Sequence, residues 1–328
     1  MLNAIRKRYP AAHISWAVES PTHRLLNPHP AIDDLILVPK GWLKKPSRWR
    51  KLFRFLREPA FDVVIDPQGI TKSAALGRIS GAKMRIGIRG RWGRELSPYL
   101  NNVLVKTNAP HIVDRSLELL TAIDIEKPAV EYDLPICPDS RQTIDLFLRE
   151  HGIVKPFVVI NPGASWKSKR WETDRFAAVA CHLSQMHGVR SIISWAGEEE
   201  RAMAERIVSL SSTASLMAPA TSLRDLAALC QSAIFFIGCD TGPLHLAAAV
   251  GTPCIGLYGP TKPTESGAYG LQHLALQKWY QEGSCRQRRN ANNDAMRDIE
   301  ASEVNAACSH MLNRLGVSDF RAQSRHSA

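Results

Sequence analysis

The residues best suited to chemistry lie between Phe235 and Gly251, FFIGCDTGPLHLAAAVG. An apolar strand ends at Gly238, a tight polar turn follows, and Pro243 opens a helix that Gly251 closes. Proline in the first helical turn and glycine after the last is the expected asymmetry. The unpaired N–H groups of Gly242 and the first turn, with the positive end of the helix dipole, make a seat for an anion such as a diphosphate. Thr241 adds a hydroxyl donor, and His245 projects from the same turn. Asp240, at the strand end, can accept from sugar hydroxyls. In the plainer reading Asp240 and Thr241 only cap the helix and His245 is a satisfied neighbour.

Three further segments follow other strand patterns. After Phe157–Asn161 come Pro162-Gly163-Ala164-Ser165 and then Lys167-Ser168-Lys169-Arg170-Trp171. Ser165 and Lys169 there offer a hydroxyl and a point charge to a phosphate. After Ser191–Trp195 comes Ala196-Gly197-Glu198, whose carboxylate suits a ribose diol; Glu199 and Glu200 read as solvent-facing helix charges. Gly259-Pro260-Thr261 is another small-residue turn. Ligands of open parallel sheets bind beyond the carboxyl ends of the strands, so the four segments read as one nucleotide-diphosphate pocket. The sequence contains neither a GxxxxGKS/T loop nor a GxGxxG fingerprint. It also lacks carboxylates at DxD spacing, so no bound metal is implied. A leaving diphosphate would then need a cation and a helix N-terminus, which Lys169 and the Gly242–His245 turn supply.

Alternating apolar runs and helical stretches must position these residues. His13–Glu19, Leu35–Val38 and Val63–Asp66 read as strands, with Trp49–Arg57 and Lys72–Ile79 as helices. A second series follows Pro135 and Pro138: strands Phe157–Asn161, Ser191–Trp195, Ser215–Met217, Ile234–Gly238 and Cys254–Tyr258, with helices such as Asp174–His187 and Ser222–Cys230. Nearly all-apolar strands joined by helices predict parallel sheets covered on both faces. The chain therefore reads as α/β, with two Rossmann-like domains whose sheets face a central cleft. Residues 1–138 and 139–316 form the two halves, and 317–328 a disordered polar tail. Gly283–Asn293, GSCRQRRNANN, reads as a basic loop, either solvated or touching phosphates.

With 328 residues, 45% hydrophobic and 22% charged, the composition is that of a two-domain globular protein. No stretch is long and apolar enough to span a bilayer. Seven cysteines without a CxxC pair predict reduced cytoplasmic thiols and no zinc site. The net charge of +11 is localised: residues 1–100 hold 19 Lys/Arg against 7 Asp/Glu, and the remainder 23 against 24. The first third should face an anionic partner, unless it is simply a solvated basic face. Its aromatics Trp16, Trp42, Trp49 and Trp92 are too dispersed for a stacking platform, which speaks against nucleic acid.

The segments CDTGPLHLAAAVGTP (239–253) and GLYGPT (256–261) resemble the signature of glycosyltransferase family 9, the ADP-heptose–lipopolysaccharide heptosyltransferases. NPGAS…KRW (161–171) and WAGEEE (195–200) resemble the family's donor-site blocks in the same order. DVVIDPQGITKSA (62–74) and HIVDRSLELL (111–120) resemble its acceptor-domain blocks. The resemblance runs from about residue 1 to 316. It implies a GT-B fold and an inverting, metal-independent transfer of heptose or a related sugar from an ADP-sugar to an anionic, lipid-linked glycan of the lipopolysaccharide core. Ser165, Lys169, Glu198, Asp240, Thr241, Gly242 and His245 would line the donor site, with Thr221 beside the base. Lys169 and His245 would stabilise the leaving group. Lys72, Arg94 and Arg115 are the acceptor candidates; the plainer reading pairs Arg115 with Glu118 at i,i+3. The chain would be a cytoplasmic monomer touching the anionic inner face of the inner membrane.

The sequence departs from the family pattern at two places. Only Cys285 persists of a C-terminal cysteine-containing run, and Ala295-Met296 stands where a Cys-Met pair is expected. Relatives open with an apolar strand and a Gly-Asp turn before a helix whose end resembles Leu2–Pro10. By this resemblance the first strand and the general base are missing; Asp66, at the end of the VVID strand, is the only substitute base the sequence offers. The alternative function is a non-catalytic module that binds sugar nucleotide or lipopolysaccharide.

Overall fold

A computed structural model describes residues 1–20, 22–26, 28–44 and 49–317. It divides into two compact units, Met1–Asp133 and Leu134–Ala328, so the boundary lies five residues before the Pro138 expected from the proline spacing. Of the expected disordered tail, 318–328 lies outside the described residues. Val317 does not belong to such a tail: its N–H donates to Leu312 O and its side chain packs on the C-terminal core.

In the first unit α1 (Leu2–Arg8) leads into β1 (Ser15–Glu19), which pairs in parallel with β2 (Asp34–Val38). After α2 (Trp49–Arg57) come β3 (Val63–Ile65), α3 (Thr71–Ser80), β4 (Met84–Arg89), α4 (Ser97–Leu100), β5 (Val103–Lys106) and α5 (Ile112–Glu118). The strands form two separate parallel sheets, β1-β2 and β3-β4-β5. Ile36, Val38, Trp42, Leu52 and Leu56 form a core cluster under the first sheet; Ile86, Ile88 and Leu119 form one under the second. Arg6 ties α1 to the loop before β2 through Asp33 (2.5 Å) and to the segment before β1 through Ala12 O (2.6 Å).

The second unit opens with α6 (Pro138–Glu150). Its parallel sheet has the order β11-β10-β9-β6-β7-β8. The strands are β6 (Phe157–Asn161), β7 (Arg190–Ile193), β8 (Ser215–Met217), β9 (Phe235–Cys239), β10 (Cys254–Leu257) and β11 (Leu274–Leu276). Every residue of β6, β9 and β10 is buried, as expected of strands covered on both faces. The helices are α7 (Thr173–His187), α8 (Gly197–Ser211), α9 (Leu223–Ser232), α10 (Gly242–Ala249), α11 (Pro263–Ser266), α12 (Cys285–Asn290), α13 (Asp294–Arg297) and α14 (Ala301–Arg314). The apolar stripe Phe176, Ala177, Val179, Ala180 and Leu183 turns α7 onto the sheet, and Gly188 ends it at φ 68°. Ser222 and Asp225 close a capping box on α9.

Asp66 directly follows β3 and is 2% exposed. Its carboxylate accepts from Gly69 N (3.1 Å), Ser97 Oγ (3.1 Å) and Asn101 Nδ2 (3.3 Å). It is an architectural anchor joining the end of β3 to α4, which corrects its reading as a substitute base: the carboxylate is sealed from solvent and already holds three donors. Asp66→Ala should therefore lower the stability of the first unit by about 2–3 kcal/mol, the cost of stranding buried donors. Urea unfolding followed by tryptophan fluorescence would measure this; an unchanged midpoint would refute the anchoring role.

Candidate functional site

The strand order places β6, the first strand of the second unit, beside β9, with later strands on either side. This is the switch point of an open parallel sheet, where the loops after neighbouring strands part and leave a crevice. The loop after β6 carries Lys169, and the turn after β9 carries Asp240.

The two loops meet through charge. Lys169 Nζ donates to Asp240 Oδ2 at 2.7 Å and to Asp240 O at 3.0 Å. His245 Nε2 lies 3.0 Å from the other carboxylate oxygen, Oδ1. The Asp240 side chain is 6% exposed, that of Lys169 14%, and that of His245 43%. Burial pushes the Asp240 carboxyl up, but the His245 hydrogen bond and the charge and hydrogen bond of Lys169 outweigh it, holding it at about 2. Asp240 is thus an anion that only accepts, so His245 carries a proton on Nε2 and presents Nδ1 elsewhere. The Lys169 ammonium also stands 4.8 Å from the centre of the Trp166 ring.

Local sequence explains the placement. Lys167–Lys169 form a single 3-10 turn after the small residues Pro162 to Ser165, with Lys169 N donating to Trp166 O. Trp171 locks the far end, fully buried against Phe176 and donating Nε1–H to Ile299 O at 2.9 Å. Pro243 lies in the first turn of α10. Thr241 is the residue before that helix, yet its hydroxyl donates back to Cys239 O at 3.2 Å and caps no helix N–H. The plainer reading, in which Asp240 and Thr241 only cap the helix, therefore fails.

Of the residues singled out in the sequence, Lys169, Asp240 and His245 are in direct contact, and Thr241 and Gly242 join them along the chain. Ser165 is exposed on the loop after β6. Thr221 is half-buried before the α9 cap, at the same sheet edge. Glu198 is exposed in the first turn of α8. Glu200, read as solvent-facing, is instead half-buried. It accepts from Ala196 N at 2.9 Å, and desolvation raises its pKa. It folds over Gly163, where a Cβ would fall 2.1 Å from Glu200 Oε1. Position in a run of three glutamates hid this, since only one of them can fold back over the turn. Glu199 is the partner of Arg170, whose Nη2 reaches its Oε2 at 2.8 Å.

In the first unit Lys72 pairs with Glu19 at the end of β1, and Arg94 is exposed, with its N–H donating to Gly69 O. Arg115 is 5% exposed. Its guanidinium lies 3.7 Å from the Trp92 ring centre and donates to Pro110 O. This corrects the reading of Arg115 as an acceptor contact, because its guanidinium is buried inside the unit, stacked on Trp92 and donating to Pro110 O. The Glu118 carboxylate accepts from the backbone N–H groups of Asn108 (2.8 Å) and Ala109 (3.2 Å). Among the described residues no group of three or more His, Cys, Asp or Glu could hold a metal ion, and no helix is long and apolar enough to cross a membrane.

The chain is similar to several known proteins. The chain is 29% identical over 277 residues to lipopolysaccharide heptosyltransferase 1 of Pseudomonas aeruginosa, covering 81% of this chain and 76% of that protein. It is 27% identical over 327 residues to lipopolysaccharide heptosyltransferase 3 of Escherichia coli, covering 95% and 93%. Among solved structures, a family 9 glycosyl transferase from Veillonella parvula superposes with a TM-score of 0.78 at 22% identity, covering 95% of this chain and 92% of that one. The E. coli heptosyltransferase WaaC with ADP gives 0.72 at 21%, covering 94% and 93%. These likenesses show the GT-B type of α/β fold. Residues 49–296, most of the sequence, match glycosyltransferase family 9 (heptosyltransferase), and the chain belongs to that family.

Proposed function

We propose that the chain transfers heptose or a related sugar from ADP-heptose to a lipopolysaccharide core glycan, with inversion and without a metal. The observation that carries this reading is the Lys169–Asp240–His245 cluster at the N-terminus of α10. Relatives named as lipopolysaccharide heptosyltransferases, and WaaC structures titled with ADP and with ADP-2-deoxy-2-fluoro heptose, support the donor and acceptor classes.

In this reading the donor diphosphate faces the first turn of α10. As the glycosidic bond breaks, negative charge grows on the leaving diphosphate. The N–H groups of the turn and the Lys169 ammonium meet that charge with no rearrangement. Two of the three Lys169 N–H groups are directed at Asp240, which fixes the ammonium and leaves the third for phosphate. Asp240 also fixes the imidazole plane of His245, whose Nδ1 is left for the ligand. Ser165 and Gly242 supply further donors, and Thr221 stands beside the base. At the ribose, Glu200 joins Glu198 as a candidate. Lys72 and Arg94 of the basic first unit contact the anionic acceptor. Asp66, saturated by three donors, does not serve as the general base.

Lys169→Ala should lower kcat/KM by about 10²-fold or more, since a preorganised donor to a leaving group contributes roughly 3 kcal/mol. Arg170→Ala, whose charge Glu199 already neutralises, should do much less; equal small losses would sink the assignment of Lys169. Treatment with EDTA should leave transfer unchanged, and loss of activity that Mg²⁺ restores would overturn the charge-compensation argument. Replacing Lys72 and Arg94 with alanine should raise the acceptor KM by about tenfold, as expected for lost charge-assisted contacts, with ADP affinity unaltered. Weakened ADP binding with an unchanged acceptor KM would reverse the assignment of the two units.

A further inference from the structure

The basic segment Gly283–Asn293 is not a bare solvated loop. It forms α12, closed at its start by a Ser284–Gln287 capping box, and it is pinned to the loop that carries Lys169. Arg288 Nη1 donates to Pro260 O at 2.6 Å, and its guanidinium lies 5.6 Å from the Tyr280 ring centre. Asn293 Nδ2 donates to Arg170 O at 2.9 Å and to Glu172 Oε1 at 3.0 Å. Between this wall and the loop after β6 lies a cavity of about 520 Å³, lined among others by Ser165, Trp166, Lys167, Arg289, Asn290 and Asn292.

The lining shares Ser165 with the residues assigned to the donor and includes none of the Gly242–His245 turn. Its two cations differ from their neighbours. Lys169 is committed to Asp240 and Arg170 to Glu199, whereas Lys167 and Arg289 have no carboxylate within 4 Å among the described residues. Both are exposed, and both line the same concavity. The Lys167 charge reaches Glu199 without pairing with it. Two cations with no ion pair across a polar hollow favour a doubly charged oxyanion, which a guanidinium can grip with two parallel N–H groups and an ammonium as a point charge. Asparagine amides beside them suit sugar hydroxyls in both donor and acceptor roles. The indole of Trp166 adds a flat apolar surface.

We propose that this cavity is an accessory site for a phosphorylated sugar, seating the phosphate between Lys167 and Arg289. It rests on the glycosyltransferase reading above and deepens it: the C-terminal unit would grip a phosphate of the acceptor glycan, apart from the donor diphosphate.

Calorimetric titration with four probes tests it: glucose 6-phosphate, inorganic phosphate, glucose and ADP. Glucose 6-phosphate should bind more tightly than inorganic phosphate, and glucose should not bind detectably. In a Lys167→Ala/Arg289→Ala variant the glucose 6-phosphate affinity should fall by about tenfold or more, the effect of losing charge-assisted hydrogen bonds, while ADP affinity and the thermal midpoint stay as they were. Unchanged glucose 6-phosphate binding in the variant overturns the proposal. So does competition between ADP and glucose 6-phosphate, which would return the cavity to the donor diphosphate. If the unaltered protein binds ADP and not glucose 6-phosphate, this inference fails and the donor site stands; if it does not bind ADP, the reading of the donor site itself fails.

Discussion

The ion pair between Lys169 and Asp240 is the contact on which the candidate site of the second unit depends. A lysine on the loop after one strand and an aspartate on the turn after the neighbouring strand are held at 2.7 Å with both side chains largely buried. Breaking a pair of this kind from one side leaves an uncompensated charge, so each residue fixes the other. The carboxyl, held at about 2, stays ionised throughout the neutral range. The pair therefore joins the loop after β6 to the turn after β9, with His245 on the other carboxylate oxygen.

The two units use the same backbone position for opposite ends. Asp66 follows β3 as Asp240 follows β9, and each backbone N–H donates across to the neighbouring strand, to Ile86 O and Leu257 O respectively. Around Asp66 the donors are neutral: a main-chain N–H, a hydroxyl and an amide. They satisfy the carboxylate and hold α4 in place. Around Asp240 the partners are a lysine and a histidine, each able to act on a further anion. A buried strand-end carboxylate is thus met by neutral donors in one unit and by ionisable ones in the other.

Close packing sets the rest of the donor edge. Gly163 leaves room for Glu200 to fold back over the loop after β6, and any larger residue there would meet the carboxylate. Trp171 and the Arg170–Glu199 pair fasten the same loop from behind. The basic α12 is joined to it through Asn293, so a segment far away in sequence forms the second wall of a polar cavity. In the first unit, the stack of Arg115 on Trp92 absorbs a cation that the charge count alone would assign to a ligand.

The sequence by itself determined the parallel α/β units, the strands β6, β8, β9 and β10 to within a residue, and the polar turn that sets Asp240, Thr241 and His245 at a helix start. These follow from local rules: unbroken apolar runs for strands buried on both faces, and proline and glycine as punctuation. It left β4, β5 and β11 unseen; in β4, Arg85, Gly87 and Arg89 interrupt the apolar pattern. Arg85 is accommodated only by the carbonyls of Ala82 and Leu100. Tertiary structure alone decided which glutamate folds inward, that Asp66 is an anchor, that Arg115 is consumed by Trp92, and that Lys167 and Arg289 share a cavity. Each of these depends on which groups from distant segments meet a charge and how much water remains around it, and neither quantity is written in local spacing.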